Sequence, residues 1–352
     1  MGSGPSSLEE ELVVKLPVTT ERFIGLYNSG NVCFANAVLQ VLFRCEPLRS
    51  NAVQWHMCTQ AKGAALSRTL TLLDVLGELF WRMQTNGIRT GTQGADDFIG
   101  LVKERNELFQ GLRQQDAHEF YSFVVNDLGE TVQAYQKRSL ADTFRGLVCK
   151  TFEETLGKTF VHANFEGTCR STTTCRTCQN KTTRTEAFLD VSLEIGSESC
   201  SVAEGLRRFS RAELVEGFQC DSQWCAKAGT QPAEKRIVLA RLPRVLVLHL
   251  KRFQYNAAQQ RFVKLLTRVC FGSELKVWES EEPDTLFRLK GLVAHIGPGP
   301  ARGHYVAVVN VEAHWFLFND DRVKMIETAD LQSFFEGQMV AYLLFYERVD
   351  AK

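Results

Sequence analysis

Apolar residues in the first third of the chain recur at helical spacing. A small, polar stretch punctuated by Gly25 and Gly30 leads to Cys33, and the apolar residues beyond it keep a helical period (Ala35, Val38, Leu39 and Leu42). Residues 70–83 show the same period, with apolar positions at Leu72, Leu73, Leu76, Leu79, Phe80 and Met83. The pattern predicts one helix that begins near Cys33 and a second, core helix over 70–83.

Two more helices are predicted before residue 140. Asp96 and Asp97 offer an N-cap to a helix that begins near Phe98. Residues 114–128 open with the polar run Gln-Gln-Asp-Ala-His-Glu and continue with apolar residues at helical spacing. They predict an amphipathic helix, and taken alone its polar start is that of a capped surface helix.

From about residue 142 the pattern changes to short β-rich runs with Thr, Ser and Gly between them. The run 245–250 is almost continuously apolar, which predicts a central strand buried on both faces. His249 inside it is interpreted as a packed core histidine. Near the C-terminus, residues 303–309 alternate and residues 315–320 follow as the next strand. A β-rich second half of the chain is therefore expected.

The composition excludes several classes of function. The 352 residues include 41 basic and 41 acidic side chains, and this balance argues against the basic surface of a nucleic-acid-binding protein. No apolar run reaches the length of a membrane span. Eleven cysteines, an odd number, favour a reducing compartment over a disulfide framework, so a cytoplasmic or nuclear location is expected. Residues 1–22 are expected to form a flexible tail, although their start also fits a myristoylation pattern.

Cys33 is predicted to lie where a thiol can act as a nucleophile. The first turn of a helix leaves backbone N–H groups unpaired and carries the positive end of the helix dipole, and both favour the thiolate. The thiolate is the nucleophilic form of cysteine. A buried structural cysteine is the alternative interpretation of the same position.

The two C-terminal strands bring a histidine and an amide together. A hairpin centred between Val311 and Glu312 puts His304 directly opposite Asn319. Cross-strand Cβ atoms in such a pair are about 5 Å apart, so Asn319 is predicted to orient the His304 ring through a hydrogen bond. Asp320 would then point to the other face of the sheet, unless the strand has already ended.

Two close cysteine pairs stand in the middle of the chain, Cys175 with Cys178 and Cys220 with Cys225. Four thiolates from two such pairs can form a closed, tetrahedral zinc site. The first pair has knuckle spacing, whereas the second has four intervening residues and is less specific. Free cysteines are the alternative. A thioredoxin-like role is disfavoured because no βαβ pattern flanks Cys175.

Several runs of the sequence resemble the boxes of the ubiquitin-specific protease family. Residues 25–40, Gly-Leu-Tyr-Asn-Ser-Gly-Asn-Val-Cys-Phe-Ala-Asn-Ala-Val-Leu-Gln, match the family's cysteine box at every fixed position. Gln-Gln-Asp-Ala-His-Glu-Phe at 114–120 is similar to its second box. Leu-Pro-Arg-Val-Leu-Val-Leu-His-Leu-Lys-Arg-Phe at 242–253 is typical of its palm sheet. Gly-His-Tyr at 303–305 and Trp-Phe-Leu-Phe-Asn-Asp at 315–320 resemble its C-terminal signatures.

The resemblance covers roughly residues 23–348 and implies one catalytic domain with a papain-like α+β fold. A helical thumb would extend over about 23–140, followed by a β-sheet palm with inserted β fingers over about 141–348. The implied activity is that of a deubiquitinase, which hydrolyses the isopeptide or peptide bond after the C-terminal glycine of ubiquitin in protein substrates. A structural zinc would be held at the tip of the fingers by Cys175, Cys178, Cys220 and Cys225.

The resemblance also implies a role for each candidate catalytic residue. Cys33 would attack, His304 would serve first as general base and then as general acid, and Asn319 would orient His304. Asn28 and the backbone N–H of Cys33 would stabilise the tetrahedral oxyanion. Asp320 would assist either at orientation of His304 or at the oxyanion.

Substrate contacts are implied for three further residues. Asp116 would pair with the arginines of the ubiquitin tail. Gly303 would leave room for an extended peptide beside the catalytic histidine, and Tyr305 of the same signature is also assigned to substrate binding. His118, although it resembles a general base, is structural in the family, and the same role is expected here.

Two other functions share these features. A non-enzymatic, zinc-stabilised ubiquitin-binding scaffold would have the same fold, but the intact catalytic set argues against it. A hydrolase of another ubiquitin-like modifier would share the boxes, because recognition of the tail decides which modifier is bound. The compact size resembles most the small family members that β-propeller partners with WD repeats activate, so a partner of that kind is expected.

Overall fold

The computed structural model describes residues 20–61, 69–111, 113–139, 159–225, 229–299 and 302–349. Most of the predicted N-terminal tail, residues 1–19, lies outside the described residues, as does the predicted boundary between thumb and fingers near 140. Within the described ranges the chain has helices in its first part and mainly strands afterwards, so the predicted α+β fold is confirmed.

Seven α-helices are described, five of them before residue 140. They are α1 (Cys33–Arg44), α2 (Glu46–Ala61), α3 (Leu72–Thr85), α4 (Asp96–Arg105), α5 (Ala117–Ser139), α6 (Phe160–Phe165) and α7 (Val202–Phe209). Short 3₁₀ segments cover Glu107–Phe109 and Thr328–Phe334. None of the helices in the described ranges has the length and apolar character that a membrane crossing needs.

The predicted helices are present, with shifts at their ends. The second begins at Leu72 rather than at residue 70, and it buries all six predicted apolar positions. The predicted cap of α4 is wrong. Asp96 and Asp97 lie inside its first turn, and the N-cap is Ala95, which makes no side-chain hydrogen bond. Their carboxylates are instead positioned to interact with the positive end of the helix dipole.

Eighteen strands are described. They are β1 (Phe23–Leu26), β2 (Thr90–Gln93), β3 (Gly167–Cys175), β4 (Lys181–Phe188), β5 (Val191–Leu193), β6 (Cys200–Ser201), β7 (Glu213–Phe218), β8 (Gln231–Arg241), β9 (Val245–Leu250), β10 (Phe253–Asn256), β11 (Arg261–Lys264), β12 (Val269–Cys270), β13 (Glu274–Lys276), β14 (Leu286–Gly299), β15 (Arg302–Val311), β16 (His314–Asn319), β17 (Arg322–Ile326) and β18 (Met339–Arg348).

The largest sheet, called the palm sheet here, has the strand order β17-β16-β15-β14-β18-β9-β5, with β13 added beside β14. Its neighbours are antiparallel except for the parallel pair β5 and β9. All six residues of β9 are buried, which confirms the predicted central strand over 245–250. A separate four-stranded sheet, the finger sheet, has the order β4-β3-β8-β7.

Both faces of the palm sheet are covered by apolar side chains. Val293 and Val309 belong to the core that the sheet shares with helices α1 to α6, whereas Leu292 and Val308, one position earlier in each strand, belong to a second core on the opposite face. This alternation follows from the two-residue period of a strand. Since α1 begins with Cys33, its packing against the sheet determines where the thiol lies.

Gly291 in β14 permits this packing to be close. A Cβ atom at that position would lie 3.2 Å from a methyl carbon of Val41 in α1. The helix can therefore approach the sheet nearly to backbone contact, which is one reason that Cys33 and the C-terminal strands of the palm sheet meet.

Candidate active site

Cys33 is the first residue of α1, at the position predicted for a nucleophile. The preceding loop turns sharply at Gly30 and Asn31, whose φ angles are 144° and 53°. The Oδ1 atom of Asn28 accepts hydrogen bonds from the backbone N–H groups of Gly30 (3.2 Å) and Val32 (3.1 Å). One side chain therefore stabilises the loop that delivers the thiol, and Cys33 itself is only 4% exposed.

The hairpin that carries His304 differs from the predicted one in its register. Val311 pairs with His314, and the turn consists of Glu312 and Ala313. The centre lies one residue later than predicted, so every cross-strand partner shifts by two positions. Glu312 and Ala313 both have positive φ (48° and 68°), which nothing in a Glu-Ala sequence signals.

The predicted contact survives this correction because a two-residue shift keeps each side chain on the same face. Asn319 is no longer the direct partner of His304 but a diagonal neighbour, and its Oδ1 lies 2.6 Å from Nε2 of His304. Nε2 donates this hydrogen bond, which leaves Nδ1 of the ring for Cys33. A hydrogen bond with Cys33, joined by the one with Asn319, raises the pKa of His304 to about 9.

Asp320 lies in the β16–β17 turn, beyond the end of the strand, with a φ of 51°. Its carboxylate accepts hydrogen bonds from Nδ2 of Asn28 (2.9 Å) and Nδ2 of Asn36 (2.8 Å). Nε2 of His304 is farther away, 3.8 Å from the nearer carboxylate oxygen. The exception that the sequence allowed therefore applies: the strand has ended, and Asp320 points into the site.

Two residues that sequence reasoning did not single out also belong to the site. Nε2 of Gln114 lies 3.9 Å from Sγ of Cys33. Asn36, 2% exposed in α1, holds the carboxylate of Asp320. Both stand inside runs that resemble family boxes, and that resemblance was the one signal available for them.

Asp116 caps α5 with one carboxylate oxygen and binds the palm sheet with the other. Oδ1 accepts from the backbone N–H of His118 (2.7 Å), and Oδ2 accepts from the hydroxyl of Tyr342 (2.6 Å). Glu119 lies in the first turn of the same helix. Partial burial, and then the charge of the Asp116 carboxylate, raise the pKa of Glu119. The start of α5 is thus acidic, and the pairing of Asp116 with a basic tail stays a prediction.

His118 and His249 form a stacked pair between α5 and the palm sheet, with ring centroids 3.8 Å apart. Nε2 of His118 lies 2.9 Å from a carboxylate oxygen of Asp190. Nδ1 of His249 contacts the hydroxyl of Ser192 at 2.9 Å, and burial followed by the charge of His118 lowers the pKa of His249 to about 2. These contacts are those of packing residues, as expected from the sequence.

Gly303 and Tyr305 flank the catalytic histidine candidate on β15. A Cβ atom at Gly303 would lie 2.3 Å from Nε2 of His295, so the fold itself requires glycine there. Tyr305 is fully buried against the ring of His295. Contacts of these two residues with substrate stay predictions.

The four predicted metal-binding cysteines converge at one end of the finger sheet. Their Sγ atoms all lie within 4.8 Å of one another, at 3.9 Å for Cys175 and Cys225 and 3.6 Å for Cys178 and Cys220. Thiolates about 2.3 Å from a tetrahedral zinc ion would be about 3.8 Å apart, so this donor set fits a metal ion of that size. The wider second pair therefore reaches the same point as the first.

Comparison with known proteins agrees with this geometry. The ubiquitin carboxyl-terminal hydrolase family matches residues 24–346. The chain is 32% identical over 370 residues to ubiquitin carboxyl-terminal hydrolase 12 of Salmo salar, covering 99% of this chain and 96% of that protein. It is 33% identical over 374 residues to ubiquitin carboxyl-terminal hydrolase 4 of Arabidopsis thaliana, covering 100% of each.

A solved structure of similar fold is that of the SAGA Ubp8/Sgf11/Sus1/Sgf73 DUB module bound to ubiquitin aldehyde. Its matching chain superposes with a TM-score of 0.74 at 27% identity, over 98% of this chain and 74% of that one. The family match covers nearly the whole described part of the chain, and both named relatives exceed 30% identity over full length. The chain therefore belongs to the ubiquitin-specific proteases, the cysteine-type ubiquitin carboxyl-terminal hydrolases.

Proposed function

We propose that this deubiquitinase cleaves the bond after the C-terminal glycine of ubiquitin by the combined action of Cys33, His304 and Asn319. The observation that carries the proposal is the chain of contacts from the thiol to the imidazole and from its Nε2 to Oδ1 of Asn319, at 2.6 Å. A pKa of about 9 keeps His304 protonated at neutral pH, so that an imidazolium stands beside the sulfur. A cation beside the sulfur is one of the surroundings in which nucleophilic cysteines occur.

The reaction then follows in two steps. The sulfur of Cys33 attacks the glycine carbonyl, His304 gives its proton to the leaving amine, and a thioester to Cys33 remains. In the second step water attacks the thioester and gives one proton to His304, the sulfur departs as a thiolate, and the remaining proton of the new carboxylic acid goes to solvent. Ubiquitin leaves with a free carboxylate, and both protein groups regain their starting states.

Asn28 and the backbone N–H of Cys33 are the proposed donors to the tetrahedral oxyanion. One N–H of the Asn28 amide is used by Asp320 at 2.9 Å, and the other is left for the substrate. Asp320 is closer to Asn28 than to His304, for which the distance is 3.8 Å. We therefore assign Asp320 to the orientation of Asn28 rather than of the imidazole.

The acidic start of α5 supports recognition of a basic peptide tail. Asp116 is held by Tyr342, and the carboxylate of Glu119 follows it on the exposed side of the helix. We propose that the arginine-bearing tail of ubiquitin binds there on its way to Cys33. Gly303, which is exposed, would line that path on the β15 side, and of Tyr305, whose side chain is fully buried, only the backbone would lie beside it.

A structural zinc is proposed for the four-cysteine cluster of Cys175, Cys178, Cys220 and Cys225. The ion would join β3 to the loop after β7 and so cross-link the tip of the finger sheet. The backbone N–H group of Asn180 reaches the sulfur of Cys178 and lowers the pKa of that thiol, an arrangement that supports a thiolate there. No step of the hydrolysis involves this site.

We further propose that the enzyme acts with a protein partner, in the cytoplasm or the nucleus. The solved relative is part of a module with Sgf11, Sus1 and Sgf73, which supports a partner in general. A WD-repeat β-propeller is the specific class proposed from the sequence.

Ubiquitin with a C-terminal electrophile tests the function directly. The unmodified chain should form a one-to-one covalent adduct at Cys33, identified by peptide mass spectrometry, and His304→Ala should form it far more slowly. A chain that binds ubiquitin without forming the adduct would be a scaffold. Electrophilic probes made from other ubiquitin-like modifiers should react more slowly, and faster reaction of one of them would reassign the substrate.

A further inference from the structure

Lys264 is a buried lysine that takes no part in the mechanism above. It ends β11 and is 9% exposed. Among the described residues no carboxylate pairs with it. Its Nζ instead donates to three backbone carbonyl groups, those of His295, Gly297 and Gln338, each at 2.9 Å. An ammonium group has three N–H donors, so all of them are used.

Two of those carbonyl groups, of His295 and Gly297, belong to β14, the strand that pairs with the one carrying the catalytic histidine, and the third, of Gln338, directly precedes β18. In the β14–β15 ladder, Ile296 pairs with His304, and the pairing is interrupted by a bulge directly after it. Lys264 binds the carbonyls on both sides of Ile296. It therefore supplies hydrogen bonds where the bulge disrupts the ladder.

The bulge is also in close contact with the backbone beside His304. Gly297 has a φ of 114°, and a Cβ atom there would lie 2.8 Å from Cα of Gly303. The ring of His295 lies beneath Gly303 and contacts the ring of Tyr305, with the two ring centroids 4.8 Å apart. A displacement of the bulge would therefore move the backbone on both sides of His304.

We propose that Lys264 is a positioning residue for His304: its ammonium group holds the β14 bulge in the geometry that aims the imidazole at Cys33. The inference rests on the catalytic role proposed for His304. Burial of this ammonium group is unfavourable, since a charge is removed from water without an opposite charge nearby. Energetically unfavourable features are concentrated at functional sites, where they serve the function.

Arg252 provides a matched control because it is a second buried cation that binds only carbonyl groups. It is fully buried, and its guanidinium donates to Ala341 at 2.7 Å and to Leu265 and Thr267 at 3.0 Å. None of these carbonyls lies in the β14 bulge. Replacing either cation by methionine removes a charge and its hydrogen bonds while keeping an unbranched apolar stem.

The two variants are predicted to lose stability alike but activity differently. Lys264→Met should lower kcat on a ubiquitin–fluorophore substrate roughly 10- to 100-fold, with KM nearly unchanged, because misplacement of a catalytic group by a fraction of an ångström has effects of that order. Arg252→Met should keep near-normal kcat at temperatures well below its Tm. Normal kcat in Lys264→Met, with a Tm lowered as in Arg252→Met, would reduce Lys264 to a structural role.

Alkylation of Cys33 by iodoacetamide at pH 7, followed by peptide mass spectrometry, gives a readout that needs no substrate. Lys264→Met should slow this reaction and Arg252→Met should not. His304→Ala separates the two claims. A normal rate of Cys33 alkylation in His304→Ala would show that the proposed role of His304 is wrong. A slow rate in His304→Ala together with a normal rate in Lys264→Met would show that the present inference alone is wrong.

The pH dependence of kcat offers a test that does not require the methionine variant to fold. Burial, and then the charge of Arg252, lowers the pKa of Lys264 to about 8, and of the other groups facing it His295 is held neutral by a pKa of about 3. A neutral amine has two N–H donors for three carbonyls. The kcat should therefore begin to fall as pH rises through about 8, whereas in Lys264→Arg, which stays charged, the fall should begin only near pH 9, where His304 loses its proton. Identical profiles for the two proteins would overturn the inference.

Discussion

At the scale of single residues, orientation of His304 and orientation of Asn28 belong to different side chains, whereas the sequence left both roles open for Asp320. Asn319 accepts from the imidazole at 2.6 Å, while Asp320 accepts from the amide of Asn28 at 2.9 Å and from that of Asn36 at 2.8 Å. The first residue orients the base, and the second orients the proposed oxyanion donor. Each assignment has its own kinetic consequence.

Removal of the orienting amide is expected to be the more damaging of two neighbouring changes. Asn319→Ala should reduce kcat/KM by roughly a hundredfold or more, because a general base loses its orientation. Asp320→Ala should act through Asn28 and reduce it less. Asp321→Ala, in the same turn but with an exposed side chain, is the control. A harmless Asn319→Ala together with a crippling Asp320→Ala would reverse the two assignments.

Asn28→Ala removes a hydrogen bond that is used mainly in the transition state. Steady-state kinetics should show kcat reduced by roughly a hundredfold or more with KM little changed. Asn28 also stabilises the loop before Cys33 through Oδ1, so the Tm of the variant must be measured beside its kinetics. Weakened ubiquitin binding with a normal kcat would identify Asn28 as a substrate contact instead.

The raised pKa of His304 links stability to pH in a defined direction. Hydrogen bonding to Cys33 and Asn319 moves this pKa from 6.5 to about 9, so the protonated ring stabilises the fold fully below pH 6.5 and loses that effect as pH rises to about 9. The Tm difference between the unmodified chain and His304→Ala should shrink over this interval. A difference that stays constant from pH 6 to pH 10 would show that protonation of His304 does not stabilise the fold.

At the scale of elements, the amphipathic helices and the central strand follow from hydrophobic period alone. The register of the β15–β16 hairpin does not, because Glu312 and Ala313 adopt positive φ without the Asn or Gly that normally signals such a turn. The cap of α4 was also mispredicted, since acidic residues favour both the N-cap and the first turn of a helix. Sequence pattern fixes the faces of strands more reliably than their exact partners.

The finger sheet gives the prediction that belongs to this scale. Purified protein should contain about one zinc per chain, and Cys175→Ser and Cys225→Ser should both lose it and lower the Tm, because metal binding contributes directly to folding of a closed site. Cys169→Ser, in β3 but outside the cluster, is the matched control. Full zinc content in Cys225→Ser would remove that residue from the ligand set.

At the scale of the whole molecule, the site exists only where two layers meet. Cys33 comes from a helix packed on one face of the palm sheet, whereas His304 and Asn319 come from the sheet itself. The two are joined by Asp320, whose carboxylate accepts from Nδ2 of Asn36 in α1 at 2.8 Å. The family resemblance identifies these residues from the sequence, but the distances between them depend on tertiary packing that no local pattern contains. The carbonyl contacts of Lys264 likewise depend on tertiary packing.

The central claim, covalent catalysis by Cys33, is tested most directly by removing the sulfur alone. Turnover of a ubiquitin–fluorophore substrate and the Kd for ubiquitin should be measured side by side for the unmodified chain, Cys33→Ala and Cys33→Ser. Both variants should show no turnover above background and a Kd close to that of the unmodified chain, because only the covalent chemistry is lost. Substantial hydrolysis by either variant would contradict the assignment of Cys33 as the nucleophile.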